Sequence, residues 1–83
     1  VTIPDSVTTI GERAFYSCYR LKSVYCKPIT PPALGSYVFD VYGSGRKIYV
    51  PMESVDAYKS ADGWAYYADS IVGYDFDNGV VVE

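Results

Sequence analysis

Tyrosine is the side chain this sequence spends most freely: ten stand in 83 residues, beside two cysteines and no histidine. Without histidine the usual general base near neutral pH is missing, and proton transfer would fall to carboxylates. Asp and Glu are scattered along the chain rather than paired. Asp62, Asp69, Asp75 and Asp77 read most simply as caps and turn residues. Cys18 and Cys26 are too few for a disulfide framework, and with no histidine they cannot supply half of an ordinary zinc site. They read as small buried apolar groups, with one disulfide between them as the alternative. The run from Asp75 to Gly79 starts like a calcium loop but lacks the ligand spacing and the closing Glu. Gly43-Ser44-Gly45 is a lone flexible turn and no phosphate cradle. No catalytic residue, metal site or cofactor site is read from this sequence. The chemistry left to it is contact.

Tyr25 and Tyr49 carry that chemistry. Each is the centre of an apolar-Tyr-apolar triplet, Val24-Tyr25-Cys26 and Ile48-Tyr49-Val50. If these triplets are neighbouring strands about 4.8 Å apart, the two rings are adjacent. Alternation puts Lys27 and Lys47 on the same face, with Thr2 and Gly73 in the same column as the tyrosines. Adjacent tyrosines flanked by cations form a contact surface of large area at low entropic cost. The plainer reading is a cross-strand pair that only stabilises a short sheet.

The elements that would hold this face follow from a period. Val1, Val24, Ile48 and Val72 recur at an almost constant step. Ile3, Cys26, Val50 and Tyr74 follow two positions behind, and Ile10 with Ala14-Phe15 recurs as Leu34 with Val38-Phe39. A fixed period of this length means one small unit stacked several times, with neighbours sharing a core. The expectation is an α/β-type repeat solenoid, a single domain over residues 1–83. Residues 1–23 form a regular repeat, 24–47 a degenerate one, 48–71 a helical capping repeat, and 72–83 a final strand with a hairpin tail. Short strands line one face, stopped by Pro4, Pro28 and Pro51; turns or short helices line the other.

Within the first unit Val7 and Ile10 point inward, and a short turn buries Ala14 and Phe15. Residues 28–32 form an extended proline segment, and 40–46 a loop. Residues 52–60 read as a helix with Val55 and Tyr58 inward and Asp56 and Lys59 outward, ended by Gly63. Trp64, Tyr67 and Ala68 form a second apolar turn, and Tyr58, Trp64, Tyr67 and Tyr74 pack the cap. Tyr16, Tyr19, Tyr37 and Tyr42 lie on the turn side. Asn78-Gly79 signals a terminal hairpin.

Composition narrows the partners. The formal charge of -3 and pI near 4.7 leave no basic stripe to neutralise phosphates, which argues against nucleic acid. No apolar stretch approaches the roughly 20 residues needed to span a bilayer. The opening at Val1, without Met or a leader, reads as a piece cut from a longer chain. Residues 1–4 would then be an open edge through which two copies could pair.

The run Val1-Thr2-Ile3-Pro4-Asp5-Ser6-Val7-Thr8-Thr9-Ile10-Gly11-Glu12-Arg13-Ala14-Phe15-Tyr16-Ser17-Cys18 resembles the BspA-like (Treponema-type) leucine-rich repeat. That family's unit reads apolar-x-I-P-x-x-V-x-x-I-G-x-x-A-F-x-x-C. Residues 24–47 match in phase, and 48–64 are similar to the ending that closes such arrays. The resemblance implies a curved solenoid from a bacterial cell-surface or secreted protein. Some members of that family are adhesins that bind host matrix proteins, and the partner expected of this chain is a host or matrix protein, or a glycan. A purely structural cap is the alternative, with recognition left to upstream repeats.

Overall fold

The computed structural model of the chain describes residues 2–15, 22–36, 38–39 and 46–82. In chain order its elements are β1 (Thr2–Ile3), β2 (Thr9–Ile10), β3 (Ser23–Cys26), β4 (Ala33–Leu34), β5 (Lys47–Pro51), α1 (Val55–Ser60), β6 (Ile71–Asp75) and β7 (Val80–Val82). Two 3-10 segments, Met52–Ser54 and Trp64–Ser70, flank α1. The result is an α/β domain with a mixed five-stranded sheet ordered β1-β3-β5-β6-β7.

Alternation builds this sheet. β1, β3, β5 and β6 run parallel, with Thr2 opposite Tyr25, Tyr25 opposite Tyr49, and Tyr49 opposite Val72. The residues between them face inward: Val24, Cys26, Ile48 and Val50 have no exposed surface. Burying an aliphatic side chain this fully stabilises by about 1.5–3 kcal/mol. The core therefore runs as an apolar layer beneath the parallel strands.

A second sheet lies where the sequence suggests only turns. β2 and β4 pair in parallel, Thr9 with Ala33 and Ile10 with Leu34. An isolated bridge joins Phe15 to Phe39, one repeat further on, and their rings stack with centroids 5.5 Å apart. Strands two residues long carry too little alternation to be legible from sequence. Ala14, expected inside, is exposed, because the bridge turns Phe15 alone toward the core.

The fourth strand is offset by one residue from the expected period. Ile48 pairs with Ile71 and Val50 with Gly73, so Gly73 faces inward and Val72 takes the outward place beside Tyr49. The reason is space. A Cβ on Gly73 would lie 2.8 Å from the Val82 carbonyl oxygen and 3.1 Å from Val55 Cγ2. Only glycine lets the strand pass beneath α1 and β7 that closely. The offset also turns Tyr74 outward, away from the cap packing expected of it.

The 52–60 helix begins as a 3-10 turn and becomes α-helical only over Val55–Ser60. It ends at Ala61, whose N–H donates to the Tyr58 carbonyl at 3.3 Å, rather than at Gly63. Gly63, with φ +81, instead redirects the chain into Trp64–Ser70, where it sits close against Leu34. Three side chains fasten this region to residues 28–32. Ser54 Oγ donates to the Ile29 carbonyl at 2.8 Å, Tyr58 Oη to that of Pro28 at 2.6 Å, and Trp64 Nε1 to that of Pro32 at 2.8 Å. These bonds answer carbonyls that an irregular segment cannot pair within a ladder.

β6 and β7 are antiparallel, but the connection is longer than a two-residue Asn-Gly turn. Asp75 closes it, accepting from the N–H groups of Asp77 at 3.0 Å and Asn78 at 3.2 Å, and from Asn78 Nδ2 at 2.8 Å. Gly79 then donates to the Asp75 carbonyl at 2.7 Å. Cys26 is a free, buried thiol. Cys18, the turn-side tyrosines 16, 19, 37 and 42, and loop residues 40–45 lie outside the described residues. Arg46, expected in that loop, is buried with its guanidinium 5.4 Å from the Phe39 ring centroid.

Candidate binding face

The outward side of the parallel strands begins with Thr2 on β1, exposed and opposite Tyr25. The backbone pairing of β3 with β5 then sets the Tyr25 and Tyr49 rings 4.9 Å apart and 17° from parallel. That separation matches the strand spacing, so the stack is a direct consequence of register. Both rings are half-buried.

Tyr74 completes the cluster. Its ring meets Tyr25 and Tyr49 edge-on, each with a centroid separation of 5.4 Å, and Phe76 stands 4.8 Å beyond it. Edge-to-face contacts place positive ring edges on negative faces and hold the rings in fixed orientations. Four aromatic residues therefore line this side, two more than alternation alone assigns. The missed signal is Gly73. Reading it as an inward position of close approach moves Val72 and Tyr74 to the outer face.

The two lysines do not come together. Lys47 is the first residue of β5, and it lines an open groove of about 380 Å³ with Tyr49, Val72 and Val81. Lys27 follows the last residue of β3 at the opposite end of the strands, where it lines a cleft of about 330 Å³ with Tyr74 and Phe76. Both lysines are exposed. The face is thus an aromatic strip with one ammonium group at each end.

Elsewhere among the described residues, the Cys26 thiol and the Tyr58 hydroxyl lie in the core. Burial pushes the Cys26 thiol above its ordinary value, with a partial opposing effect from its 3.3 Å contact with the Tyr58 hydroxyl. A thiol held neutral is a poor nucleophile. Burial, and then the Cys26 contact, raises Tyr58 as well. At the hairpin, the Asn78 side-chain amide leads the hydrogen bonds that hold the Asp75 carboxyl below the usual range. Among the described residues, no three or more Cys, Asp or Glu side chains converge to hold a metal ion, and no helix is long and apolar enough to cross a membrane. No protein-family model matches the chain, and no curated protein matches it significantly.

Proposed function

We propose that this chain is a non-enzymatic binding module that engages a protein or glycan through the outer face of its parallel strands. The observation that carries the proposal is the ring stack of Tyr25 on Tyr49, braced by Tyr74 and left half-open to solvent. Rigid tyrosines lose little entropy when they bind, and their rings can lie against sugar faces or apolar side chains. Lys27 and Lys47 at the ends would fix the direction of the ligand. The resemblance of residues 1–23 to the BspA-like repeat supports a solenoid from a bacterial surface or secreted protein as the setting. Parallel pairing of Thr2 with Tyr25, Tyr25 with Tyr49 and Tyr49 with Val72 follows a nearly constant step and agrees with that setting. The test is an amide-shift titration of the isotope-labelled chain against matrix proteins and glycans. Shifts should cluster at Tyr25, Lys27, Lys47 and Tyr49. Tyr25→Ala and Tyr49→Ala should weaken binding without unfolding the chain; unchanged affinity in both variants would refute this reading.

One observation favours a second reading, a structural cap. Ser54, Tyr58 and Trp64 all bond to carbonyls within residues 28–32, closing the helical segment over the core. Under this reading recognition belongs to other repeats. Truncation at Asp62 would expose Ile48, Val50 and the β5 edge, and aggregation would follow. A truncated chain that stayed monomeric and folded would count against the cap.

A further inference from the structure

The cleft at the carboxyl ends of β1, β3, β5 and β6 adjoins the tyrosine face, sharing Lys27 and Tyr74 with it, and has the composition of a second site. Its floor is apolar and aromatic. Pro51 and the edge-to-face pair of Tyr74 and Phe76 form it. Ile29 and Met52 stand at its mouth with 57% and 49% of their surfaces exposed, among the described residues the largest exposures of large aliphatic side chains apart from Val80. Its rim carries four carboxylates, Asp5, Glu53, Asp75 and Asp77, against the single ammonium of Lys27. These carboxylates do not converge on one point as metal ligands would. They are spread around an opening of about 330 Å³, a size suited to an organic group.

We propose that this cleft docks a partner protein's segment in which an arginine neighbours an apolar side chain. Arginine fits on two counts. Its planar guanidinium stacks on aromatic rings, here those of Tyr74 and Phe76, while its N–H fork reaches carboxylates on the rim. The apolar neighbour covers Ile29 and Met52, which otherwise remain in water. The Asp75 carboxylate is already turned toward its own loop by three hydrogen bonds. Asp5, Glu53 and Asp77 are the exposed acids left to receive the cation. The cleft shares Tyr74 and Lys27 with the tyrosine face, but its occupation does not require a ligand at Tyr25 and Tyr49.

The labelled chain is titrated with an acetylated, amidated hexapeptide alternating leucine and arginine. Parallel titrations use the leucine–glutamate and alanine–arginine versions and acetyl-arginine amide alone. Amide shifts are expected at Met52, Glu53, Phe76 and Asp77. The three control ligands should each bind at least about tenfold more weakly, a factor of ten being what one lost strong contact removes. The double variant Asp5→Asn/Glu53→Gln, altered only at exposed side chains, should weaken the leucine–arginine peptide by about tenfold and leave the remaining spectrum unchanged. Raised salt should weaken binding too. Tyr49→Ala should leave this affinity intact, separating the cleft from the tyrosine face. Equal affinity for the glutamate peptide, equal affinity for acetyl-arginine amide, an unaffected double variant, or shifts confined to Tyr25, Lys47 and Tyr49 would each overturn the proposal.

Discussion

Tyr49 and Tyr58 stand close in sequence and have the same side chain, yet the fold uses them in opposite ways. Tyr49 stands on the outer side of the sheet, half-exposed, its ring stacked on Tyr25. Tyr58 lies under the inner side with no exposed surface, its hydroxyl donating to Pro28 and touching Cys26 and its ring edge-on to Trp64 at 4.8 Å. The two sides of the sheet differ in the same manner. The inner side is aliphatic, closed by aromatic residues whose polar tips are all bonded. The outer side is lined by aromatic rings that, among the described residues, stay partly open to solvent. Stability is concentrated where burial and hydrogen bonding coincide, which leaves the outer tyrosines free to be exchanged with modest structural cost.

Trp64→Ala tests the inner half of this comparison most severely. The indole is fully buried, packs on Tyr58 and Phe39, and bonds to Pro32. Its loss should cost about 3–5 kcal/mol, the lost burial and the cavity left behind taken together. A small domain has roughly 5–15 kcal/mol in total. Urea unfolding should show a chain barely folded or unfolded at 25 °C. A midpoint shift equivalent to under about 1 kcal/mol would mean that the inner side is not where the fold is held.

Tyr58→Phe keeps the ring and removes the oxygen. It strands the Pro28 carbonyl inside, at a cost of about 1–3 kcal/mol. The same residue gives the fold an alkaline limit. Burial raises Tyr58 above its ordinary value of 10.0 and Cys26 above 9.0, so the folded state keeps protons that the unfolded chain gives up. Their contribution is fully present below about pH 9 and falls as pH rises, because the unfolded state then binds fewer protons. Each group contributes a slope of up to about 1.4 kcal/mol per pH unit while only its unfolded form is ionised. Wild-type stability, measured by urea unfolding at intervals from pH 8 to 11, should decline above pH 9–10. Tyr58→Phe should decline less steeply, since Cys26 alone remains. Parallel curves would show that the Tyr58 hydroxyl is reached by solvent.

The sequence made some of this legible and hid the rest for physical reasons. Tyr25 opposite Tyr49 follows from the constant repeat step and simple alternation, because register in a parallel ladder is a matter of counting. Val55 and Tyr58 facing inward, with Asp56 and Lys59 outside, follows from helical periodicity. The β6 offset does not follow. Val72 continues the arithmetic period, but the position is decided by what Gly73 must pass beneath, a contact with Val55 and Val82 that spacing cannot express. Tyr74 is misplaced by counting for the same reason. The β2–β4 pairing escapes because two residues show no alternation. The cleft escapes because Asp5, Glu53 and Asp77 come from three separate turns.

Tyr49→Ala tests the outer half and should have the smallest effect on stability. The ring shares its contacts between Tyr25 and Tyr74, and those two also contact each other, with centroids 5.4 Å apart. Removing it therefore leaves an edge-to-face pair in place. One aromatic pair contributes roughly 0.5–1.5 kcal/mol beyond its area, and a half-exposed ring adds little cavity. The expected loss is about 1 kcal/mol by urea unfolding, with the unfolding slope unchanged. A loss as large as that of Trp64→Ala would erase the distinction between the two sides, and the tyrosine stack would then be a second core and no contact surface. A loss near the expected value of about 1 kcal/mol would mean that the fold stands without the stack, so that a change in binding by Tyr49→Ala could be read as lost contact rather than lost structure.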